Sequence, residues 1–358
     1  MTHRLFSAAR LALLTLFSAT AVQSQAVRAL RTVGEELAFE FSSIAGVREL
    51  PDGRVLVVDA RERGIRLADF RGAVVPVGRD GAGPGEYRAP IGIFPAPGDS
   101  SIVFDGGQTR LLYADAAGRL GRIQSTAGVG ASSGAITRFV PQHGDARGRL
   151  YATETAIRQL PQGVTLADSV VIQRWQRDGT ALVPLAFIRV RSLEDRGGAL
   201  GGPSAVPFVV GDQWAVAHDG RVAIVRWDTY RVELVGADGQ RVVGPVIREE
   251  PVRVTPAIRD EWRRQQAPNA AEPPHWPEFL PPFPTRAAIF APNGLLWVRR
   301  SVPAGALPLY DVFDASAQRI FQVQLDAPGD VVGFGRAHAF VARVDEDGLK
   351  YLRRVALP

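Results

Sequence analysis

Short apolar runs separated by polar or glycine-containing turns repeat along the chain, most clearly between Val55 and Ile93. Two apolar strands come first, on either side of the polar loop Asp59–Arg63. A tight turn at Arg71-Gly72, a third strand and the glycine-rich loop Gly78–Gly85 follow, and a new apolar strand begins after Pro90. Apolar runs of this length between turn residues are typical of strands. The stretch predicts one sheet unit of an all-β protein.

Two series of turns divide the chain into six units. Each first turn precedes an apolar run, and each second turn closes the next hairpin, since Gly, Asn and Asp tolerate the positive φ of tight turns. The first turns lie at Gly53, Ser100, Gly148, Gly220, Gly294 and about Arg336, and the second at Gly72, Gly118, Gly179, Gly239, Ala317 and Gly348. Most first turns are spaced by the roughly 40–50 residues of a propeller blade.

Two longer gaps predict insertions. One combines an extended loop, Arg158–Asp168, with the glycine-rich run Gly197–Gly202. The other is Thr255–Pro284, in which Thr255-Pro256 has the pattern of a helix N-cap and first-turn proline before a short helix over Ile258–Gln266.

The last unit supplies three strands, at about Val331–Phe334, Ala339–Val344 and Lys350–Ala356. The segment Glu36–Phe41 is an unassigned strand near the N-terminus. As the fourth strand of the last unit it closes the ring and removes the exposed sheet edges. The predicted fold is an all-β six-bladed propeller of four-stranded antiparallel blades, with residues 27–358 as a single domain.

The stretch Val55–Ile93 also resembles an NHL-type repeat, whose blades read roughly "yvaD…n.Ri.vfd..G" followed by "G..G.g.Gef..P.gia". The chain is therefore similar to six-bladed propellers with NHL-type (TolB-like) repeats. The resemblance implies an exported bacterial member of that family.

The first 26 residues have the pattern of a secretory signal peptide. Arg4 and Arg10 precede and flank the short apolar run Leu11–Ala19, and Ser24-Gln25-Ala26 offers small residues for cleavage near Ala26. The run is too short to span a bilayer. The chain contains no cysteine, which excludes disulfides, thiolate metal sites and a lipid-modified cysteine. We expect a periplasmic or secreted protein with no membrane anchor in the mature chain.

Charge and composition limit the kinds of partner that the protein is expected to bind. Hydrophobic residues make up 46% of the chain, which is ordinary for a protein with a large core. The formal net charge is +5, but the arginines are spread among acids through strands and turns. Nucleic-acid binding requires a clustered basic patch, so we expect no nucleic-acid partner.

In a propeller, the loops from second to third strands and from each blade to the next meet at one end of the ring, here called the mouth. The residues ending the second strands are Asp59, Asp105, Glu154, Arg226, Arg299 and Arg343. Three acids followed by three arginines predict a mouth with an acidic and a basic half, suited to a zwitterionic or peptide-like ligand. Alternatively, Asp59 and Asp105 accept hydrogen bonds from their own turn amides, and the arginines pair locally.

Two further segments are candidates for ligand contact. The loop Gly78–Arg88 could form an anion nest of backbone amides beside Arg79, Glu86, Tyr87 and Arg88, or it could simply shape the crossing between blades. The insertion Thr255–Pro284 holds aromatic residues on stiff proline-rich segments. These aromatics could cap the mouth, bind a partner or pack on the flank.

Signatures of known propeller enzymes are missing from the sequence. A gluconolactonase-like metal site needs two asparagines, but the chain has only Asn269 and Asn293, in the insertion and a hairpin turn. His143, His218 and His338 lie near first turns, away from the mouth, and together with His275 they show no metal-ligand spacing, so we expect isolated surface histidines. No GxSxG motif is present.

The sequence thus favours a non-catalytic exported propeller, expected to be monomeric and without cofactor, that binds a protein or small ligand at its mouth. An alternative is a metal-assisted lyase or hydrolase using Asp59, Asp105 and Glu154 on the same face. A structural envelope protein is a third option.

Overall fold

The computed structural model describes residues 27–30, 35–130, 139–155, 157–160, 163–191, 206–266, 272–273, 275–345 and 347–357. The predicted signal peptide and the run Gly197–Gly202 lie outside these residues. Within them the chain forms an all-β six-bladed propeller of four-stranded antiparallel blades, as the sequence predicts. In the part of the chain that the structure describes, helix is confined to one short segment.

The first strand, β1, covers Val27–Leu30 and does not belong to blade one. Blade one is the antiparallel sheet β2–β5, whose second strand is buried along its whole length. Its strands are β2 (Gly46–Glu49), β3 (Val55–Asp59), β4 (Gly64–Ala68) and β5 (Val74–Pro76). Two short strands in the glycine-rich loop follow, β6 (Arg79–Asp80) and β7 (Glu86–Tyr87).

Blades two and three follow in the same order. Blade two contains β8 (Pro90–Pro95), β9 (Ser101–Asp105), β10 (Arg110–Ala114) and β11 (Leu120–Ser125). Blade three contains β12 (His143–Gly144), β13 (Leu150–Thr153), β16 (Ser169–Trp175) and β17 (Leu182–Arg189), with the hairpin β14 (Ile157–Leu160) and β15 (Gly163–Leu166) inserted after its second strand. The prediction of an extended loop at Arg158–Asp168 is wrong, because most of this segment forms a hairpin in which β14 pairs with β15.

Blades four to six complete the ring. Blade four contains β18 (Gln213–Val216), β19 (Val222–Arg226), β20 (Arg231–Val235) and β21 (Arg241–Val243), and α1 (Pro256–Arg264) follows it. Blade five contains β22 (Ala288–Phe290), β23 (Leu296–Arg299), β24 (Leu309–Phe313) and β25 (Arg319–Leu325). Blade six contains β26 (Asp330–Phe334), β27 (His338–Val344) and β28 (Lys350–Ala356).

The first strand of each blade is the innermost. These strands contact one another around the axis, for example β2 with both β8 and β26, and β18 with both β12 and β22. Apolar clusters then fill the spaces between neighbouring blades. One cluster joins Leu56 of blade one to Val103 of blade two, and another joins Ile172 of blade three to Ile224 of blade four. Burial of each such side chain stabilises the ring by about 1.5–3 kcal/mol.

The N-terminal segment seals the ring as predicted. Glu36 bridges to Arg353 and Phe41 to Lys350, both antiparallel, so this segment takes the place of the fourth strand of blade six. The amide of Leu37 donates to the carbonyl of Leu352 at 3.0 Å. Leu37 and Phe41 are both buried against blades one and six.

An additional edge strand was not predicted. β1 pairs in parallel with β25, the outer strand of blade five, from Val27 with Gln322 to Leu30 with Leu325. Leu30 is buried in the cluster between blades five and six, and the Arg28 guanidinium lies 3.9 Å from the ring centre of Phe321. Blade five therefore has five strands, and its outer edge is covered.

In the described part of the chain, no helix has the length and apolar character needed to cross a membrane.

Candidate functional site

The structure places the six predicted mouth residues at equivalent positions. Four of them end the second strand of their blade, Glu154 directly follows its strand and Arg343 is the next-to-last residue of its strand, all at the end of the ring where the second-to-third-strand loops and the interblade crossings lie. They are Asp59, Asp105, Glu154, Arg226, Arg299 and Arg343. Their side chains, however, differ in the number of hydrogen bonds and ion pairs that they already form within the protein.

Asp59 joins the N-terminal segment to blade one. Its carboxylate is buried and accepts hydrogen bonds from the amides of Ser42 (2.9 Å) and Ser43 (3.1 Å), and from the Ser43 hydroxyl (2.8 Å). The amides of Arg61 and Glu62 in its own loop also donate to it. Five donors occupy the carboxylate, so it fixes the entry into blade one.

The Asp105 carboxylate likewise fixes the entry of the chain into blade two. Its fully buried carboxylate accepts from the amides of Ala89 at 2.9 Å and Gly107 at 3.1 Å, and pairs with Arg110 Nε at 3.2 Å. Arg110 in turn donates to the carbonyl oxygens of Ala82 (2.5 Å) and Glu86 (2.8 Å). The Asp105–Arg110 pair thereby ties the glycine-rich loop to blade two.

The glycine-rich loop is braced internally. Arg79 Nε donates to Glu86 at 2.9 Å, and the Gly83 amide donates to the same carboxylate at 2.8 Å. The Gly83 amide and then Arg79 lower the pKa of Glu86. Tyr87 is buried, and its hydroxyl accepts from the Ile65 amide at 3.1 Å. Among the predicted residues of this loop, Arg79 and Arg88 have exposed side chains.

The other predicted mouth residues have varied partners. Glu154 is half-buried and accepts from the Val171 amide at 3.2 Å. Arg299 forms an ion pair with Asp330. Arg343 binds Glu36 through two hydrogen bonds, of 2.8 and 2.7 Å, and so supports the ring closure.

Arg226 differs, because it lines an open groove between blades three and four, at the mouth end of the ring. The groove has a volume of about 410 Å³. Four arginines and two acids line it together with Phe187 and Thr229: Arg189, Arg226, Arg231, Arg241, Asp228 and Glu233. Phe187 is 62% exposed, which is unusual for an aromatic side chain on a sheet surface.

Strand register explains why these residues converge. Arg226 pairs with Arg231, and Glu233 is two residues further along the same strand, so all three side chains share one face of blade four. Arg241 lies opposite Val235 on the outer strand and therefore on that face too. Phe187 and Arg189 come from the outer strand of blade three, which faces them across the groove.

Ion pairs hold the groove in shape. Arg226 bridges Asp212 and Glu233, at 2.7 Å each, and Arg189 binds Asp228 through two hydrogen bonds, of 2.7 and 2.6 Å. Although burial lowers the pKa of Arg226, the bonds to Glu233 and Asp212 raise it above its ordinary value. The Arg189 and Arg226 guanidinium groups lower the pKa values of Asp228 and Glu233 respectively. Arg189, Arg226, Asp228 and Glu233 are therefore charged at neutral pH.

The four arginines that line the groove outnumber its two acids, so the groove carries excess positive charge. Arg231 contacts Glu233 at 3.2 Å, but its Nε is without a hydrogen-bond partner. Arg241 is exposed and forms no ion pair with any residue that the structure describes. The groove thus presents the exposed guanidinium group of Arg241 and is also lined by Phe187, a combination that fits carboxylate groups next to an apolar side chain.

The insertion lies on the same face of the ring. Thr255 caps α1, and Glu261 of that helix accepts from the Gly305 amide of blade five at 3.0 Å. Trp276 packs edge-on against Trp262 at 5.2 Å and lies 6.1 Å from Phe208, which precedes blade four. The insertion therefore spans the mouth from blade five to the crossing before blade four.

Within the described residues, no group of three His, Asp or Glu side chains is arranged to hold a metal ion. The metal-assisted alternative remains a prediction.

Among the histidines, His143 differs from the expected isolated surface residue. Its ring packs edge-on against Trp214 at 4.4 Å, and burial lowers its pKa to about 4.

Sequence reasoning found Arg226 but missed the rest of the groove. Arg189, Arg231, Arg241 and Phe187 lie on strands three and four of their blades, whereas the sequence predicts site residues at second-strand ends, in the glycine-rich loop and in the insertion. An arginine-rich pattern on alternate residues, Arg231-x-Glu233 followed by Arg241 after a hairpin turn, was the available signal.

No protein-family model matches the chain, and no curated protein matches its sequence. Solved structures resemble it in fold. A member of the duf4221 family from Bacteroides vulgatus has a TM-score of 0.50 and 9% identity, over 91% of this chain and 97% of that one. A Bacteroides fragilis protein named as exported has a TM-score of 0.47 and 13% identity, over 92% and 95%.

Enzymes also occur among these structures. The virginiamycin B lyase of Staphylococcus aureus has a TM-score of 0.43 and 8% identity, over 92% of this chain and all (100%) of that one. Because one fold hosts many activities, identities this low concern the fold alone. The chain is a six-bladed β-propeller whose neighbours include both an exported protein and enzymes.

Proposed function

We propose that this protein is an exported, non-catalytic propeller that binds an anionic, peptide-like ligand or protein segment at its mouth, through the groove between blades three and four. We also infer, from the resemblance of Val55–Ile93 to an NHL-type repeat, that its blades are of the NHL type. One observation carries the functional proposal: four arginines, two acids and the exposed residue Phe187 line one groove.

The chemistry of the groove defines the ligand class. Arginine guanidinium groups bind carboxylates through planar, often bidentate hydrogen bonds. Phe187 supplies apolar area for an aliphatic or aromatic side chain beside those carboxylates. A peptide with glutamate or aspartate flanking one apolar residue satisfies both features.

The groove is preorganised, which favours binding. The Arg189–Asp228 and Arg226–Asp212 pairs already fix two of the guanidinium planes, so a ligand orders fewer side chains on arrival. Arg241, which is exposed and forms no ion pair with the described residues, retains its donors for the ligand. The ligand-binding roles of Asp59, Arg79, Glu86, Tyr87, Arg88, Asp105, Glu154, Arg299 and Arg343 remain predictions.

Fluorescence anisotropy of a labelled peptide, four glutamates around one leucine, tests the proposal. We expect saturable binding that weakens roughly three- to tenfold in Arg241→Gln, because an exposed charge-assisted contact is lost. Phe187→Ser should weaken binding about tenfold through lost apolar contact. Arg71→Gln is the matched control, since Arg71 is an exposed arginine in the second turn of blade one.

Three outcomes would count against the proposal. Binding could fail to saturate, or all three variants could weaken it equally, which would indicate a general charge effect. Alternatively, a peptide with glutamine in place of glutamate could bind as well as the acidic peptide. Circular dichroism of each variant verifies the fold, and no loss is expected because both mutated groove residues are exposed.

A further inference from the structure

The outer edges of the blades differ in how they are protected. β1 covers the edge of blade five, and the segment Glu36–Phe41 covers that of blade six. In blade one, β5 ends in Pro76, which has no amide hydrogen. In blade two, β11 shifts in register against β10. Features of these kinds keep a sheet edge from pairing with another chain.

Blade three is also protected at its outer edge, whereas blade four is not. β17 contains Pro184. At the mouth end of β17 the Arg189 amide donates to the Asp212 carboxylate at 2.8 Å, and the Asp212 amide donates to the Arg189 carbonyl at 2.9 Å. The outer strand of blade four, β21, has neither a proline nor a shift in register, and no described strand pairs with its outer side. Of the six outer strands, as far as the structure describes them, β21 is left open to pairing.

β21 presents free backbone groups. Just beyond the strand, the Gly244 amide donates to the Val232 carbonyl at 2.9 Å. Because hydrogen-bonded and non-bonded pairs alternate in an antiparallel sheet, the backbone of Val242 bonds to β20, whereas that of Arg241 and Val243 does not. The amide and carbonyl groups of Arg241 and Val243 therefore point away from the sheet. All three residues of β21 are exposed, so these groups are accessible to an added strand.

The side chains of β21 define the chemistry of that strand. Arg241 and Val243 lie on the face of blade four that is turned towards blade three, since Val235 opposite Arg241 is buried in the cluster between these blades. Arg241 lines the groove, and Val243 is 55% exposed. A strand paired with β21 therefore has a carboxylate beside Arg241 and an apolar side chain beside Val243, two positions apart on one face.

The chain itself shows that a blade edge accepts an added strand. β1 pairs with β25 over four residues, with Leu30 buried and Val27 54% exposed. β1 thus docks through a short run of backbone pairing and one buried apolar side chain. The open edge of β21, with the exposed side chain of Val243, offers the same two kinds of contact.

We propose that the acidic, peptide-like ligand binds as an added β-strand on β21, with its backbone hydrogen-bonded to Arg241 and Val243. This inference rests on the proposed function and adds the bound conformation and the motif. The ligand is an extended segment of a partner protein with an acidic and an apolar residue two positions apart. Main-chain hydrogen bonds contribute affinity, and the alternate side chains contribute specificity.

N-methylated versions of the labelled peptide test the inference by fluorescence anisotropy. Successive amides of a strand point to opposite sides, so only every second amide of the ligand faces β21. One version carries a methyl group on the leucine nitrogen, and the other carries methyl groups on the nitrogens of the two neighbouring glutamates. We expect one version to bind at least about tenfold more weakly, because it loses hydrogen bonds to the edge, and the other to bind within about threefold of the unmodified peptide.

The sensitive version also gives the direction of the added strand. In an antiparallel pair, the residue opposite Val243 exchanges both of its hydrogen bonds with Val243, so methylation of the leucine weakens binding. In a parallel pair the residues on either side of the leucine make these bonds, and the doubly methylated peptide is the weak one.

Two variants of Val243 test the same contact from the protein side. Val243→Pro removes the outward amide hydrogen but leaves the pairing of Val242 with β20, since an edge strand tolerates proline where the nitrogen faces solvent. Val243→Ala is the matched control, because it keeps the amide and loses only apolar area. We expect Val243→Pro to bind roughly three- to tenfold more weakly than Val243→Ala. Urea unfolding verifies that both variants fold, and the N-methylated peptides need no variant of the protein.

The outcomes separate this inference from the proposed function. If the unmodified peptide does not bind, the proposed function fails and the added strand fails with it. If the unmodified peptide binds but the two N-methylated versions bind equally well, or a folded Val243→Pro binds as Val243→Ala does, the added strand is overturned. In that case the ligand is held through its side chains, and the proposed function stands.

Discussion

Replacing Asp105 by asparagine tests whether the mouth acids are structural. The carboxylate is fully buried and accepts from three backbone amides, at 2.9, 3.1 and 3.3 Å, and from Arg110 Nε at 3.2 Å. Asparagine keeps one oxygen acceptor, but its amide group places a donor next to the Arg110 donor. The variant therefore loses a charge-assisted hydrogen bond and leaves the Arg110 charge without its carboxylate.

The expected cost follows from these contacts. A hydrogen bond to a charged group contributes about 1.5–3 kcal/mol, and breaking a buried ion pair costs about 3–5 kcal/mol. Arg110 still donates to the Ala82 and Glu86 carbonyls, which retains part of its solvation. We expect Asp105→Asn to lower the free energy of unfolding by about 3 kcal/mol.

Urea unfolding followed by tryptophan fluorescence measures this loss. Asp115→Asn is the matched control, because Asp115 also binds turn amides and an arginine but has a side chain that is 44% exposed. Its loss should be about 0.5 kcal/mol. A double-mutant cycle with Arg110→Gln should give a coupling of about 1–3 kcal/mol. Equal, small losses for both aspartates would refute the reasoning and indicate that the Asp105 carboxylate is free for a ligand.

Two further predictions concern burial. NMR should give the His143 imidazole a pKa of about 4, against an ordinary value of 6.5. Because the unfolded chain then binds this proton more readily, the stability contributed by neutral His143 is complete above about pH 6.5. It is lost as the pH falls towards 4, and His143→Phe should remove this loss; a measured pKa near 6.5 would contradict the burial argument. Leu30→Ala should cost about 2–4 kcal/mol in urea unfolding, because Leu30 is buried. Val27→Ala, at a 54% exposed position of the same strand, should cost less than about 0.5 kcal/mol; equal costs would show that β1 is not docked.

The fold was predictable because its signals are local. Turn residues such as Gly53 and Gly220 adopt positive φ, of 86° and 90°, and each marks a hairpin that sequence shows directly. Closure by Glu36–Phe41 followed from the missing fourth strand of the last blade. β1 could not be found in this way, since it adds in parallel to a complete blade and no count of strands requires it.

The site was only partly predictable, because it depends on pairing between strands. The predicted second-strand ends lie within one residue of those in the structure, but sequence could not show that the Asp59 carboxylate has five intramolecular donors. Nor could it show that Phe187 of blade three and Arg241 of blade four line the same groove. That juxtaposition depends on the register of β20 and β21 and on the packing of two blades.

Hydrogen–deuterium exchange with and without the acidic peptide tests the central claim most directly, because it locates the bound ligand. The account predicts slower exchange in β17 and in the loop from Arg226 to Arg231, on the two sides of the groove. Protection at the second-strand ends of blades one and two, or no protection at saturating peptide, would contradict it.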